Sequence, residues 1–194
     1  MNHTPQIKQA IQFAARKHHG HFRAETEPLP YVTHLFSVAL LVAEDGAEDD
    51  VVSAALLHDT LEDTDTTRVE LVEAFNERVA ELVEHVSEQG LDKSDLSKPD
   101  WKGKKVAYLA HLEEAPDDAL LISIADKIDN IESKLEALER GDTAVLERMG
   151  GDPTRYLWFH GELVRIATAR LPEHRLTRRL LEAHARERGM LSGI

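Results

Sequence analysis

The dipeptide His58-Asp59 places an imidazole and a carboxylate at the end of an apolar segment, Ala54–Leu57. About one His-Asp dipeptide is expected by chance in a chain of this composition, so its setting carries the argument. The apolar segment indicates a helix end inside the protein, where both groups can reach one metal ion. These ligands suit Mn²⁺, Fe²⁺ or Zn²⁺ better than Ca²⁺. The alternative is an exposed acidic helix terminus without a ligand.

Two acidic residues, Glu62 and Asp63, follow the dipeptide at helical spacing. If the helix continues, each of them lies one turn beyond a member of the dipeptide, because residues four apart are neighbours on a helix. The spacing therefore predicts two carboxylates that lie close to the ion without being required to bind it.

Asp126 and His34 are two further candidate ligands. Asp126 follows the apolar segment Ala119–Ala125, and burying an aspartate costs several kcal/mol unless it is paired or binds a metal. A salt bridge to Lys127 would also satisfy it. His34 stands at the start of a predicted helix, where a lone histidine is more often a partly buried structural residue. Neither residue identifies a metal site alone, but both could complete one.

The apolar pattern predicts helices nearly throughout the chain and no β-hairpin. Thr4 and Pro5 are typical of a helix start, and Ala119–Ala125 is apolar on every side, as in a buried central helix. Two loops are predicted, at 21–30 and at 88–100. The pattern therefore predicts an all-α fold.

The chain is expected to form a single domain over residues 1–194. Its core is predicted at about 5–140, and a C-terminal helical extension at about 142–190. The aromatic residues at 156–159 recur at helical spacing, which is more typical of packing than of a ligand site.

The composition excludes several functional classes. The 194 residues include 36 acidic and 23 basic side chains, which give a formal net charge of −13. Because nucleic-acid binders neutralise phosphates with a basic surface, this balance argues against DNA or RNA, though not against a small phosphorylated substrate. The absence of cysteine excludes disulfides and zinc–thiolate sites. No apolar run approaches the ~20 residues of a membrane span and no secretory signal is found, so a cytoplasmic location is expected.

Three motifs together resemble a known family. The order of His34, His58-Asp59 and Asp126 resembles the H…HD…D pattern of the HD phosphohydrolase superfamily. These residues lie in the segments Pro30-Tyr-Val-Thr-His34, Leu56-Leu-His-Asp-Thr-Leu-Glu-Asp-Thr64 and Ala125-Asp-Lys-Ile-Asp-Asn130. More narrowly, residues 7–140 resemble the hydrolase domain of the RelA/SpoT alarmone enzymes. The resemblance implies a compact HD-domain helical bundle with extra C-terminal helices. It also implies a stand-alone small alarmone hydrolase, or one of its less characterised bacterial relatives, because the chain has no room for a synthetase domain.

The resemblance implies that one Mn²⁺ ion per chain is bound by four residues: His34, His58, Asp59 and Asp126. Glu62 and Asp63 match the family's catalytic acidic pair, which orients or deprotonates the attacking water. The implied reaction is the Mn-dependent hydrolysis of guanosine-3′,5′-bis(diphosphate) at its 3′-diphosphate. It converts (p)ppGpp to GDP or GTP and pyrophosphate.

The resemblance also implies substrate contacts by five residues: Arg23, Asn130, Ser133, Lys104 and Lys105. The arginine would stack on the guanine base and the lysines would meet phosphates, whereas ordinary solvated surface is the alternative for all five. The segment from Arg23 to Tyr31 is two residues longer than the family pattern and lacks its Ser-Gly. This departure motivates an alternative function, another HD-type nucleotide phosphohydrolase such as a nucleotidase or dinucleotide phosphatase. A third possibility is a non-catalytic nucleotide-binding module with the same fold.

Overall fold

The computed structural model describes residues 4–23, 29–88, 101–148 and 152–191. Within these ranges the chain forms eleven helices: α1 (Pro5–Lys17), α2 (Val32–Ala43), α3 (Asp49–Leu57), α4 (Thr60–Asp63), α5 (Arg68–Ala74), α6 (Glu77–Val86), α7 (Trp101–Glu114), α8 (Asp117–Glu139), α9 (Ala144–Arg148), α10 (Pro153–Arg170) and α11 (Arg175–Leu191). The extended structure in these ranges is one isolated bridge between Phe22 and Pro30. The predicted all-α fold is confirmed.

The two predicted loops fall partly outside the described residues, namely at 24–28 and 89–100. In the part of the chain that is described, no helix combines the length and the apolar character that crossing a membrane requires.

The helix starts follow from local chemistry. Thr4 Oγ1 accepts a hydrogen bond from the N–H of Ile7, and Pro5 occupies the first turn of α1, as predicted. Asn76 caps α6 in the same way through the N–H of Val79. These caps satisfy backbone donors that the first turn of a helix leaves without a partner.

Helix α8 is the central helix, packed against α2, α3, α6, α10 and α11. Its first half is almost wholly buried, and each large apolar side chain buried there contributes about 1.5–3 kcal/mol. Asp126 follows directly and is only 7% exposed. The same apolar run that fixes α8 in the core therefore carries this carboxylate into the interior.

The helix that leads to His58 does not continue through it: α3 ends at Leu57, and the next helix, α4, begins at Thr60. Two side chains occupy carbonyl oxygens that a continuous helix would use. His58 Nδ1 lies 2.8 Å from the carbonyl oxygen of Ala55, and Thr60 Oγ1 donates to the carbonyl oxygen of Leu57 at 2.6 Å. The acidic pair therefore lies on a separate short helix rather than on a continuation of α3.

The C-terminal helices cover one side of the core. Helix α10 packs against α7, α8 and α11, and α11 packs against α8. The buried contacts include Phe159 and Leu163 of α10 and Leu176 and Leu180 of α11. Phe159, the last residue of the aromatic stripe, is thus part of the packing, as the sequence predicted.

Candidate metal centre and active site

Four side chains from three parts of the fold meet in the interior. His34 lies in the first turn of α2, His58 and Asp59 lie between α3 and α4, and Asp126 lies in the middle of α8. His34 Nε2 is 3.2 Å from Asp126 Oδ1 and 3.6 Å from Asp59 Oδ2. His58 Nε2 is 3.1 Å from the same Asp59 oxygen. The structure therefore brings together all four residues that the sequence predicts as ligands.

The second nitrogen of each imidazole is held by a neighbouring group. His34 Nδ1 lies 2.6 Å from Asp129 Oδ2, and His58 Nδ1 lies 2.8 Å from the carbonyl oxygen of Ala55. These acceptors assign the proton to Nδ1 in both rings. Once the rings are neutral, their Nε2 lone pairs face the centre, which is how outer hydrogen bonds orient metal-binding histidines.

The buried polar atoms of the centre fit a metal ion. His58 is 3% exposed, and its Nε2 atom makes no hydrogen bond of normal geometry, even to the Asp59 oxygen 3.1 Å away. An unpaired buried polar group costs about 1–3 kcal/mol, and coordination of a cation removes that cost. Two imidazoles and two carboxylates are a donor set suited to Mn²⁺, Fe²⁺ or Zn²⁺.

The charges of the centre compensate one another. Burial disfavours a charged imidazole, but the Asp59 carboxylate outweighs it and raises the pKa of His58 to about 9. Burial would raise the pKa of Asp126, yet the Lys127 ammonium and the two imidazoles hold it well below its usual range. A cation that binds here has to displace imidazole protons, so its binding is coupled to proton release.

Tyr31 orients one of the carboxylates. Its hydroxyl donates to Asp59 Oδ2 at 2.7 Å. The Tyr31 ring stacks on His18 with 5.1 Å between ring centroids, and His18 is itself 2% exposed. Burial lowers the pKa of His18 to about 4, so this ring is neutral. The stacked rings of Tyr31 and His18 therefore help to fix the position of the Asp59 carboxylate.

The predicted catalytic pair lies beside the ligands on α4, and its two members differ. Glu62 is half-buried, its Oε1 atom accepts a hydrogen bond from the backbone N–H of Glu88, and burial raises its pKa to about 6. The charges of Asp59 and Lys127 also act on that pKa. Asp63 is exposed. Glu62 is therefore the carboxylate whose proton affinity is tuned near neutrality.

Two predicted substrate residues border the metal centre. Arg23 Nη1 lies 3.3 Å from Asp129 Oδ2, and Arg23 Nη2 lies 3.5 Å from Asn130 Oδ1. The Asn130 amide donates in turn to Asp126 Oδ1. A guanidinium and an amide thus lie within one hydrogen bond of the predicted ligands.

A cleft of about 1040 Å³ opens between α2 and α8. Its lining includes His34, Asp129, Arg23 and Ser133, so it reaches the metal centre from one side. The volume is at the upper end of the range typical of small-molecule sites, about 300–1,000 Å³. Ser133, a predicted substrate residue, therefore faces a space that can hold a nucleotide.

The two predicted phosphate-binding lysines have different surroundings. Lys105 Nζ pairs with Glu88, whose N–H contacts Glu62, and lies 4.8 Å from the centroid of the Phe159 ring. Lys104 is partly buried and makes no hydrogen bond or ion pair with any described residue. The structure connects Lys105 to the catalytic pair and does not connect Lys104.

One contributor was not identified from the sequence. Asp129 bonds both His34 and Arg23, and its position three residues after Asp126 on a helix is a usable signal, because residues three apart share a face. Lys127 pairs with Asp126 through Oδ2, while Oδ1 faces His34. The salt bridge considered as an alternative to a metal role therefore coexists with the ligand geometry.

Comparison with known protein families and sequences gives a consistent result. The HD domain model matches residues 10–149. A guanosine-3′,5′-bis(diphosphate) 3′-pyrophosphohydrolase of Aquifex aeolicus is 40% identical over 131 residues, which are 68% of this chain and 18% of that relative. The guanosine-3′,5′-bis(diphosphate) 3′-pyrophosphohydrolase MESH1 of Danio rerio is 37% identical over 130 residues, 66% of this chain and 68% of that relative. The chain therefore spans less than a fifth of the first relative and about two thirds of the second.

Two solved structures share the architecture. One, described as a metazoan ortholog of SpoT that hydrolyzes ppGpp, has a TM-score of 0.75 and 25% identity, covering 98% of this chain and 99% of that one. A protein of Listeria monocytogenes has a TM-score of 0.68 and 22% identity over 81% of this chain and 97% of that one, which shows likeness of fold alone. The match to the metazoan ortholog of SpoT covers nearly the whole chain and therefore extends past residue 149 into the C-terminal helices.

Proposed function

Because the chain belongs to the HD domain family, we propose that it hydrolyses guanosine-3′,5′-bis(diphosphate) at the 3′-diphosphate and releases pyrophosphate. The observation that carries the proposal is the convergence of the four ligand residues on one point beside Glu62. The choice of substrate is supported by the names of the relatives that are 40% and 37% identical.

Mn²⁺ is the proposed ion, one per chain, held by His34, His58, Asp59 and Asp126. The family and the cluster of imidazoles and carboxylates support a divalent metal, and manganese is the more specific part of the proposal. At such a site a divalent ion lowers the pKa of bound water, to about 7 in favourable cases, and polarises a phosphate oxygen.

Glu62 is the proposed general base. A half-buried carboxylate with a pKa of about 6 is ionised at neutral pH and accepts a proton from the attacking water. The water oxygen bonds to the phosphorus attached to the ribose O3′, the bond from that phosphorus to O3′ breaks, and O3′ takes up a proton. Asp63, exposed beside it, is proposed to orient the water. The products are pyrophosphate and GDP, or GTP when the substrate carries a 5′-triphosphate.

The substrate is proposed to bind across the border of the metal centre and the cleft. Arg23 would stack on the base, Asn130 would bind the ribose, and Ser133 would contact the nucleotide within the cleft. Lys105, with Lys104, would meet phosphate groups. The partner class is thus a small nucleotide, and a formal net charge of −13 disfavours a nucleic acid. The cytoplasmic location expected from the sequence remains a prediction.

The test is a product assay on the purified chain, first treated with chelator and then supplied with Mn²⁺. We expect ppGpp to be converted to GDP and pyrophosphate with added Mn²⁺ and not with chelator. Glu62→Gln, which keeps the size of the side chain and removes the base, is expected to lower turnover by about 10²–10⁴-fold with little change in bound metal. Intact ppGpp after incubation with the loaded protein would contradict the proposal.

The same assay separates the proposal from another phosphohydrolase activity, which the altered segment between Arg23 and Tyr31 motivates. A nucleotidase or dinucleotide phosphatase would act on other members of a nucleotide panel, and a nucleotidase would release orthophosphate. A non-catalytic module would bind the nucleotide and release neither product.

A further inference from the structure

Lys134 lies on α8 two turns after Asp126, on the same face as Asn130. The three residues follow one another at intervals of four, so their side chains form a stripe along the helix. Eight residues advance an α-helix by about 12 Å, and helical side chains lean back towards the N-terminus. The Lys134 ammonium therefore lies beyond Asn130 on the side away from the metal centre.

The surroundings of Lys134 differ from those of the other lysines near the site. Lys127 pairs with Asp126, and Lys105 pairs with Glu88. Lys134, in contrast, has no hydrogen bond and no carboxylate oxygen within 4.0 Å among the described residues, and its Nζ atom lies 4.4 Å from the centroid of the Tyr156 ring. An aromatic ring positions the ammonium but supplies no anion.

Charged groups of the proposed active site influence the pKa of Lys134. Burial is the main reason that its pKa is lowered to about 8, and the charges that act on it include Lys127, Asp126 and Arg23. The largest single charge that acts on it is the carboxylate of Glu187 on α11, which two histidines already engage. The charges on Lys134 are mixed, two carboxylates and two cations, and burial still lowers its pKa, so an added anion beside it would stabilise the ammonium.

We propose that Lys134 binds the phosphate group of the substrate that is not attacked, the 5′-diphosphate, and so makes the site selective for nucleosides phosphorylated at both positions. This inference rests on the proposed function and adds a specificity-determining residue to it. A substrate with its 3′-diphosphate at the metal centre and its ribose at Asn130 would carry its 5′-oxygen along the stripe towards Lys134. A phosphate there gains a charge-assisted hydrogen bond, which is among the stronger polar contacts.

The test compares two ligands that differ only in the 5′-phosphate, guanosine 3′,5′-bisphosphate and guanosine 3′-monophosphate. Their dissociation constants are measured by calorimetry on the Mn²⁺-loaded full chain and on Lys134→Met. The bisphosphate is expected to bind the variant about 10-fold or more weakly, whereas the monophosphate binds both proteins alike. Lys134→Arg, which keeps the charge, is expected to restore most of the difference.

A matched control is Lys102→Met. Lys102 also stands over an aromatic ring, that of Trp158 at 5.3 Å, but it is exposed and lies on α7. This variant is expected to bind both ligands as the wild type does. Equal weakening of both ligands in Lys134→Met, with a lowered thermal midpoint, would show that Lys134 is structural and would overturn the proposal.

The two proposals fail separately. A chain that leaves ppGpp intact, yet loses only the bisphosphate preference in Lys134→Met, would disprove the proposed reaction and support the subsite. A chain that hydrolyses ppGpp with unchanged KM and bisphosphate binding in Lys134→Met would keep the reaction and disprove the subsite.

Discussion

The metal centre and a second cluster in the C-terminal helices contain the same kinds of side chain in different arrangements. His160 of α10 and Glu187 of α11 are buried, His184 of α11 is half-buried, and one ligand atom of each lies within 4.8 Å of the others. The ligand atoms of His34, His58 and Asp126, all of them buried, lie within the same distance of one another. Residue types and proximity alone therefore do not distinguish the two clusters.

Hydrogen bonding distinguishes them. His160 Nδ1 lies 2.9 and 2.8 Å from the two carboxylate oxygens of Glu187, and His184 Nδ1 lies 3.2 Å from one of them. In the metal centre the Nδ1 atoms bond outwards to Asp129 and Ala55, which leaves the Nε2 atoms facing inwards. The C-terminal cluster is satisfied without an ion, whereas the metal centre is not.

The pKa values diverge in the same way. Burial lowers the pKa of His160 to about 4, and one carboxylate does not offset it beside the Lys134 and Lys127 charges. Asp59 and Asp126 together raise the pKa of His58 to about 9 despite equal burial. In the metal centre two carboxylates surround the imidazoles, and a divalent cation can neutralise their charge. The C-terminal cluster has one carboxylate for two imidazoles.

The largest expected effect comes from removing His58, the predicted ligand whose Nε2 atom has no hydrogen-bond partner. His58→Ala is expected to lose bound Mn²⁺ and to lower turnover by about 10³-fold or more, since a catalytic ion supplies several kcal/mol. Metal content by elemental analysis and turnover on ppGpp check this. Full metal content in the variant would show that His58 is not a ligand.

A smaller effect is expected from the outer hydrogen bond of His34. Asp129→Asn keeps the shape but weakens the orientation of the ring, and loss of such contacts costs about 10–100-fold in metal affinity. Competition with a chelator measures the affinity. Glu139→Gln, a carboxylate change on the same helix that touches only an exposed pair with Arg186, is the control and should leave the affinity unchanged.

The C-terminal cluster is expected to act on stability through pH. The folded-state pKa of His160, about 4, and that of Glu187, about 2, both lie below their ordinary values of 6.5 and 4.5. Protonation therefore favours the unfolded chain, and stability present above pH 6.5 is lost as pH falls towards 4 and then 2. The expected loss is on the order of 3 kcal/mol for either group.

Denaturant unfolding of the metal-free chain at pH 7 and pH 5 measures this loss. His160→Phe is expected to show a smaller decline over that interval, because it lacks the imidazole. An equal decline in the variant would place the pH dependence elsewhere in the molecule.

The smallest expected effect tests most directly whether hydrogen bonding decides which of the two clusters binds a metal ion. Glu187→Gln is expected to leave the metal content at one ion per chain, because hydrogen bonds already satisfy the C-terminal cluster. Two ions in the wild type and one in this variant would show that hydrogen-bond saturation does not decide which cluster binds metal.

Much of the fold, and the burial of two of the predicted ligands, follows from local sequence. The apolar runs before His58 and Asp126 predict that both residues are carried inwards, and the structure confirms their burial. The break between α3 and α4 was not predictable from periodicity, because it depends on side chains of His58 and Thr60 that compete for backbone carbonyls. Such competition is invisible to a pattern of apolar spacing.

Contacts between distant helices are the part that sequence could not supply. The bond from Glu187 to His160 depends on how α10 meets α11, and the distance between Lys134 and Tyr156 depends on how α10 meets α8. Lys104 and Lys105 show the same limit at adjacent positions, since only Lys105 reaches Glu88. Tertiary packing, rather than residue type, decides these partners.

The origin of the ligands on α2, α8 and the junction of α3 with α4 has a mechanical consequence. An ion shared by these segments would join parts of the chain that lie far apart in sequence, as a cross-link does. The chain contains no cysteine, so it has no covalent bond of that kind. Its cross-link would be reversible, set by the supply of a divalent cation and released by a chelator, so that the resistance of the core to unfolding would follow metal availability.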